Sequence, residues 1–116
     1  MEVDFVHIND WPWGRSWDFI VDGGVCFGRA SLLNKALDEI YIDNVSVYRD
    51  FRRQGYGRFL LDRIEYMAEI TLSVKRLRLW VDACKPENVA FYEACGFHQA
   101  GFVDDSEDMI VMLKEL

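Results

Sequence analysis

The chain has 116 residues, 51% of them apolar and 28% charged, with 20 acidic against 13 basic side chains and a formal net charge of −7. That size supports one hydrophobic core and not two, so residues 1–116 read as a single domain, and the apolar-to-charged balance excludes disordered, collagen-like and low-complexity classes. The acidic surplus disfavours general nucleic-acid binding; it either steers in a cationic or amine-bearing substrate or simply keeps the protein soluble.

No apolar run approaches the length of a membrane span, and Met1-Glu2-Val3-Asp4 does not open a signal peptide. Cys26, Cys84, Cys95, His7 and His98 are scattered, with no CxxC pair. That argues against a metal site or a disulfide framework and points to a reducing cytoplasm.

In chain order, Val3–Ile8 alternates loosely as a first strand, and Asn9–Arg15, holding Trp11-Pro12-Trp13-Gly14, reads as a loop. Trp17–Val21 and Val25–Leu33 are strands across the turn Asp22-Gly23-Gly24, and Asn34–Leu37 is a second turn. In the strand Glu39–Val47, Ile40 and Ile42 fall on even positions but Val45 and Val47 on odd ones. Either a β-bulge sits near Asp43-Asn44, as bulges do beside active sites, or the strand is buried on both faces.

Leu60, Ile64, Met67 and Thr71 recur at helical spacing, predicting a helix from Tyr56 to about Ile70. Leu77–Val81 alternates as a strand. Pro86 suits a first helical turn and Gly96 the position just past its end, predicting a helix over Pro86–Cys95. Phe97–Val103 and Met109–Leu113 pair across residues 104–108. The order β-β-β-β-α-β-α-β-β implies an α/β fold with a mixed, partly parallel sheet.

Arg52-Arg53-Gln54-Gly55-Tyr56-Gly57-Arg58 joins a strand to a helix. Glycines there allow a tight turn that brings backbone N–H groups to an anion, and a helix N-terminus adds about 0.3–1 kcal/mol through its dipole. The segment lacks the Gly-Lys-Ser/Thr of a Walker loop and the third glycine of a dinucleotide fingerprint. It reads as a phosphate cradle or as a solvated basic turn.

Val45-Ser46-Val47, then Arg52-x-x-Gly55-x-Gly57, then helix and strand, then Asn88-Val89-Ala90-Phe91-Tyr92-Glu93-Ala94-Cys95-Gly96-Phe97, together resemble the GNAT superfamily of acyl-CoA-dependent N-acyltransferases. The resemblance covers about residues 17–116 and rests on the order and spacing of the motifs more than on either motif alone. It implies that the fourth strand, Glu39–Val47, carries the bulge and splays from the fifth, Leu77–Asp82. The gap would take the pantetheine arm of acetyl-CoA against the backbone of Val45 and Val47. The pyrophosphate would sit on backbone N–H groups of Arg53, Gln54, Gly55, Tyr56, Gly57 and Arg58, with Arg52 adding charge and Asn88 as the nearest amide for a CoA contact.

The resemblance also implies that Tyr92 is the general acid beside the thioester sulfur, since a phenol near pKa 10 can protonate a thiolate whose thiol has pKa near 8.5. The alternative for Tyr92 is a packed helix aromatic. A carboxylate in this family commonly receives the proton of the acceptor ammonium. Glu39, Asp43 and Asp82 lie on or at the ends of the splayed strands, and Asp43, at the suspected bulge, is preferred. The alternative is that all three are surface acids.

Three departures stand out. Tyr41 occupies a place where some relatives carry glutamate, Arg49 one that is often proline, and Lys85 the usual asparagine position. Relatives also place two helices between the first two strands, where this chain has only Asn9–Ser16. The resulting open acceptor site implies a macromolecular acceptor or a wall supplied by a second subunit, that is, a homodimer; or the tryptophans cap the core. The expected function is acetyl transfer from acetyl-CoA to a protein, peptide or small amine by direct attack. The rivals are a CoA-binding regulatory or inhibitory module without turnover and an interaction protein that binds no CoA.

Overall fold

The computed structural model describes residues 1–33, 38–104 and 106–116. Strands β1 (Val3–Trp11), β2 (Gly14–Val21), β3 (Cys26–Leu32) and β4 (Glu39–Val47) precede helix α1 (Tyr56–Tyr66); β5 (Arg76–Asp82), helix α2 (Pro86–Ala94), β6 (His98–Phe102) and β7 (Met109–Glu115) follow. They form one sheet of order β1-β2-β3-β4-β5-β7-β6. Among the described residues only β4 and β5 pair in parallel. The expected element order and mixed α/β sheet are therefore present. The expected turn over residues 34–37 lies outside the described residues, as does Asp105 of the last connection.

Most boundaries shift from the sequence expectation by a residue or two, and two differ by more. The loop expected over Asn9–Arg15 shrinks to Pro12-Trp13, because Asn9, Asp10 and Trp11 continue β1 by pairing with Ser16, Arg15 and Gly14. Ladder hydrogen bonds override the poor strand propensity of Asn and Asp. Gly14 is required at this corner: a Cβ there would lie 2.1 Å from the Leu32 carbonyl oxygen. The helix from Tyr56 is α-helical only to Tyr66 and closes with a wider π-type turn over Met67–Thr71.

Helix α1 lies on one face of the sheet, burying Leu60, Leu61 and Ile64 against Cys26, Ala30, Ile40, Ile42, Leu77 and Leu79. Each such side chain contributes roughly 1.5–3 kcal/mol through removal from water. Gly28 belongs to this interface, since a Cβ there would meet Leu60 Cδ2 at 2.6 Å. Helix α2 meets α1 through Phe91, whose Cζ would stand 2.9 Å from a Cβ at Gly57. Among the described residues no helix is long and apolar enough to cross a membrane.

Candidate active site

The parallel ladder between β4 and β5 runs from Glu39–Arg76 to Ile42–Leu79 and stops there. Beyond it β4 continues to Val47 and β5 to Asp82, each held only by its other neighbour. The strands therefore part, and the β4 edge from Asp43 to Val47 faces β5 without a strand partner.

The expected bulge accompanies the parting. Cys26 and Phe27 pair with Val47 and Ser46, but Arg29 pairs with Asp43, so β4 holds one more residue than β3 across this stretch. Asn44 takes φ +54°, a left-handed conformation that Asn tolerates better than most residues. The alternative of a regular strand buried on both faces is excluded, since Asn44 and Ser46 are exposed.

At the mouth of the gap, Gly55 precedes α1 with φ +90° and Arg53 has φ +63°. The helix start carries no capping side chain and no acidic residue in its first turn. Its first N–H groups have no intrahelical acceptors, the first α-helical bond running from Phe59 N–H to the Gly55 carbonyl at 3.0 Å. A left-handed glycine, free N–H groups and no competing carboxylate fit an anion such as the CoA pyrophosphate.

The structure assigns the arginines of this segment different tasks. Arg52 folds back, donating from Nε to the Val47 carbonyl at 3.2 Å. Arg58 donates from Nη2 to the Ala94 carbonyl at 2.6 Å, covering the C-terminal end of α2. Arg53 and Gln54 are exposed. Tyr56 donates its hydroxyl to Asp22 Oδ2 at 2.8 Å, pinning the loop to the β2–β3 turn. Gly57 serves the packing of α1 on Phe91, a role the sequence motif alone does not separate from anion binding. Asn88 is exposed in the first turn of α2.

Tyr92 lies half-buried on α2, edge-on to Phe91 (5.2 Å between centroids) and to Phe97 (5.9 Å). Burial, and then the neighbouring Cys95 thiol, push its phenol above the usual value, so it keeps its proton at neutral pH.

Of the three acids raised by sequence, only Asp43 stands where the strands divide. Glu39 is buried at the paired end, held by Arg76 at 2.8 Å and Arg78 at 3.3 Å. Asp82 accepts the Cys84 N–H at 2.8 Å in the turn after β5. Asp43 Oδ1 is buried and has no hydrogen-bond partner among the described residues. Burial raises the Asp43 carboxyl above its ordinary value, the Arg29 guanidinium pulls it back, and Asp18 raises it again. Tyr41, on the same face as Asp43, meets Trp80 edge-on across the fork at 5.7 Å.

Sequence reasoning passed over Asp18 and Arg29, which share the face of Asp43. The signal was available in hairpin register: counted outward from the Asp22–Gly24 turn, Asp18 falls opposite Arg29.

A model of the GNAT acetyltransferase family matches residues 2–97. The chain is 36% identical over 83 residues to the [ribosomal protein bS18]-alanine N-acetyltransferase of Escherichia coli, covering 66% of this chain and 55% of that protein. It is 41% identical over 64 residues to the enzyme of that name from Salmonella typhimurium, covering 55% of this chain and 43% of that protein. The chain thus spans about half the length of the curated relatives it matches. The solved structure of the Escherichia coli enzyme superposes with a TM-score of 0.70 at 28% identity, covering 91% of this chain and 71% of that one. The spermidine/spermine N-acetyltransferase SpeG of Vibrio cholerae superposes at 0.73 and 18% identity, covering 90% and 66%, a likeness of fold. With the family model matching residues 2–97 of a chain whose sheet forks beside a glycine-led helix start, the chain belongs to the GNAT acetyltransferase family.

Proposed function

We propose that this chain transfers the acetyl group of acetyl-CoA to a primary amine by direct attack, in the cytoplasm. The observation that carries the reading is the fork between β4 and β5 beside an uncapped, glycine-led helix start. Val45 and Val47 line its open edge, and the N–H groups at Arg53–Arg58 supply the anion end.

Acetyl-CoA, when bound, supplies an activated acyl thioester. The chain's own work is to hold two protons in the right places. A lysine-like or polyamine nitrogen of pKa about 10.4 must lose its proton at a cost of roughly 4–5 kcal/mol at pH 7, and a peptide α-amine of pKa about 8 at a cost of about 1 kcal/mol. The unpartnered Asp43 Oδ1 is the acceptor suited to it, directly or through a water. Tyr92 Oη, protonated at neutral pH, is the donor suited to the departing sulfur. Orientation supplies much of the remaining acceleration.

With the tight Pro12-Trp13 turn, no helix among the described residues covers the sheet face carrying Asp43. That openness favours a macromolecular amine over a small one, consistent with relatives named for alanine of a ribosomal protein. The test is thiol release from acetyl-CoA, compared between a peptide with an N-terminal alanine and spermidine. Turnover with the peptide supports the reading. CoA binding without thiol release from either acceptor refutes it in favour of a binding module.

A further inference from the structure

The sheet face turned away from α1 carries a continuous polar row. Register places His7, Asp18, Arg29 and Asp43 opposite one another across β1 to β4. Asn9 Nδ2 donates to Asp18 Oδ2 at 3.2 Å, and Arg29 donates to the same carboxylate from Nε (2.7 Å, to Oδ1) and Nη2 (3.2 Å, to Oδ2). Asp18 is buried, while the Arg29 side chain keeps 34% of its surface exposed.

The bulge gives the row its last member. Carried on without a break from Cys26–Val47 and Phe27–Ser46, the register would set Asn44 opposite Arg29; the extra β4 residue sets Asp43 there instead. Directly opposed residues hold their Cβ atoms about 4.5–5.5 Å apart. Arg29 therefore stands beside Asp43 while its hydrogen bonds go to Asp18, and Asp43 Oδ1 stays unpartnered. The other charged or titratable groups on this face are Glu39 and Tyr41 on β4 itself, Arg76, Arg78 and Asp82 from β5, and His7 from β1 beyond Asp18; Glu39 is held by the two arginines at the paired end.

We propose that Arg29 is a positioning residue for Asp43: clamped by Asp18, its guanidinium keeps the Asp43 carboxylate ionised without occupying the oxygen that takes the proton. This rests on the reading of Asp43 as proton acceptor. Asp18 is as important as Arg29, because it holds the guanidinium at arm's length. Without Arg29, Asp43 sits among burial and negative charge and protonates at higher pH. Without the Asp18 carboxylate, Arg29 turns onto Asp43 and captures its free oxygen. The two losses act in opposite directions, which a merely structural role does not produce.

The test follows the Asp43 carboxyl carbon by NMR through a pH titration, with its resonance identified by its disappearance in Asp43→Asn, alongside kcat/KM against pH. Arg29→Gln, which can still bond Asp18, moves the Asp43 midpoint and the acid limb of kcat/KM up by about one unit or more. Asp18→Asn moves both down and lowers kcat. Arg29→Lys restores the parent midpoint in large part. Cooperative melting of each variant confirms that it is folded. Shifts of Arg29→Gln and Asp18→Asn in the same direction, or no shift in either, overturn the proposal. Full activity in Asp43→Asn removes the proton-acceptor reading itself, and the positioning role falls with it. An inactive Asp43→Asn with an unmoved midpoint in Arg29→Gln sinks the positioning role alone.

Discussion

Replacing Gly55 by alanine separates backbone strain from ligand binding, provided that Gly101→Ala is measured beside it. Both glycines hold left-handed backbone, φ +90° and +103°. Among the described residues, a Cβ at Gly55 would touch only Met1 Cε at 3.7 Å, and one at Gly101 would touch nothing within 4 Å. Neither substitution creates a clash, so each costs mainly the left-handed penalty, about 1–2 kcal/mol. For a chain of this size that lowers the melting temperature by roughly 4–8 °C in both variants. Their CoA affinities should differ sharply. At Gly55 the strain is relieved by rotating the N–H groups away from the position a pyrophosphate needs, and the loss of one charge-assisted bond is about 1.5–3 kcal/mol. Calorimetric titration with CoA should therefore show a Kd raised about tenfold to a hundredfold in Gly55→Ala and unchanged in Gly101→Ala. Equal Kd values in the two variants, at matched stability, would refute the anion-cradle assignment of Arg53–Arg58.

Tyr92→Phe keeps the edge-on contacts with Phe91 and Phe97 and removes only the hydroxyl; kcat should fall by about 10²-fold or more with CoA affinity unchanged, and a full kcat would return Tyr92 to the role of a packed aromatic. Cys26 is buried and its thiol is pushed up to about 11, whereas Cys84 is exposed; native-state alkylation at pH 8 followed by mass spectrometry should label Cys84 first and Cys26 only on unfolding. Asp43→Asn should stabilise the protein at pH 7. The folded Asp43 carboxyl is raised, so the parent loses stability as pH rises from its unfolded value through its folded one, and the variant does not. Urea midpoints should thus coincide near pH 3 and diverge by pH 7; a less stable variant at pH 7 would contradict the unpartnered state of Oδ1.

Much of the fold was legible because its punctuation is local. Asp22-Gly23-Gly24 supplies left-handed positions at a hairpin corner, and Pro86 with Gly96 brackets a helix. The slip in alternation at Asp43-Asn44 was legible for the same reason, since a single residue in left-handed backbone shifts every later side chain to the other face. The Trp11–Gly14 corner misled because Pro and Gly mark a turn without fixing its length, which the β1–β2 ladder decides. The arginine side chains were not legible in this way: Arg58 ends on a carbonyl 36 residues away, a partner no local pattern names.

That contrast bears on how the candidate site is built. The proposed anion end is made of backbone, set by one left-handed glycine and a helix start, so a short motif carries it whole. The proposed acceptor end is made of side chains from three strands, and its composition depends on register. Without the bulge an amide, Asn44, would stand beside Arg29; with it, a carboxylate does. The bulge beside the fork therefore selects the charge at its edge. Deleting Asn44 should let Val47, Ser46, Val45 and Asp43 face Cys26, Phe27, Gly28 and Arg29 in regular register, so that variant removes the bulge while keeping Asp43 opposite Arg29 and separates the two effects.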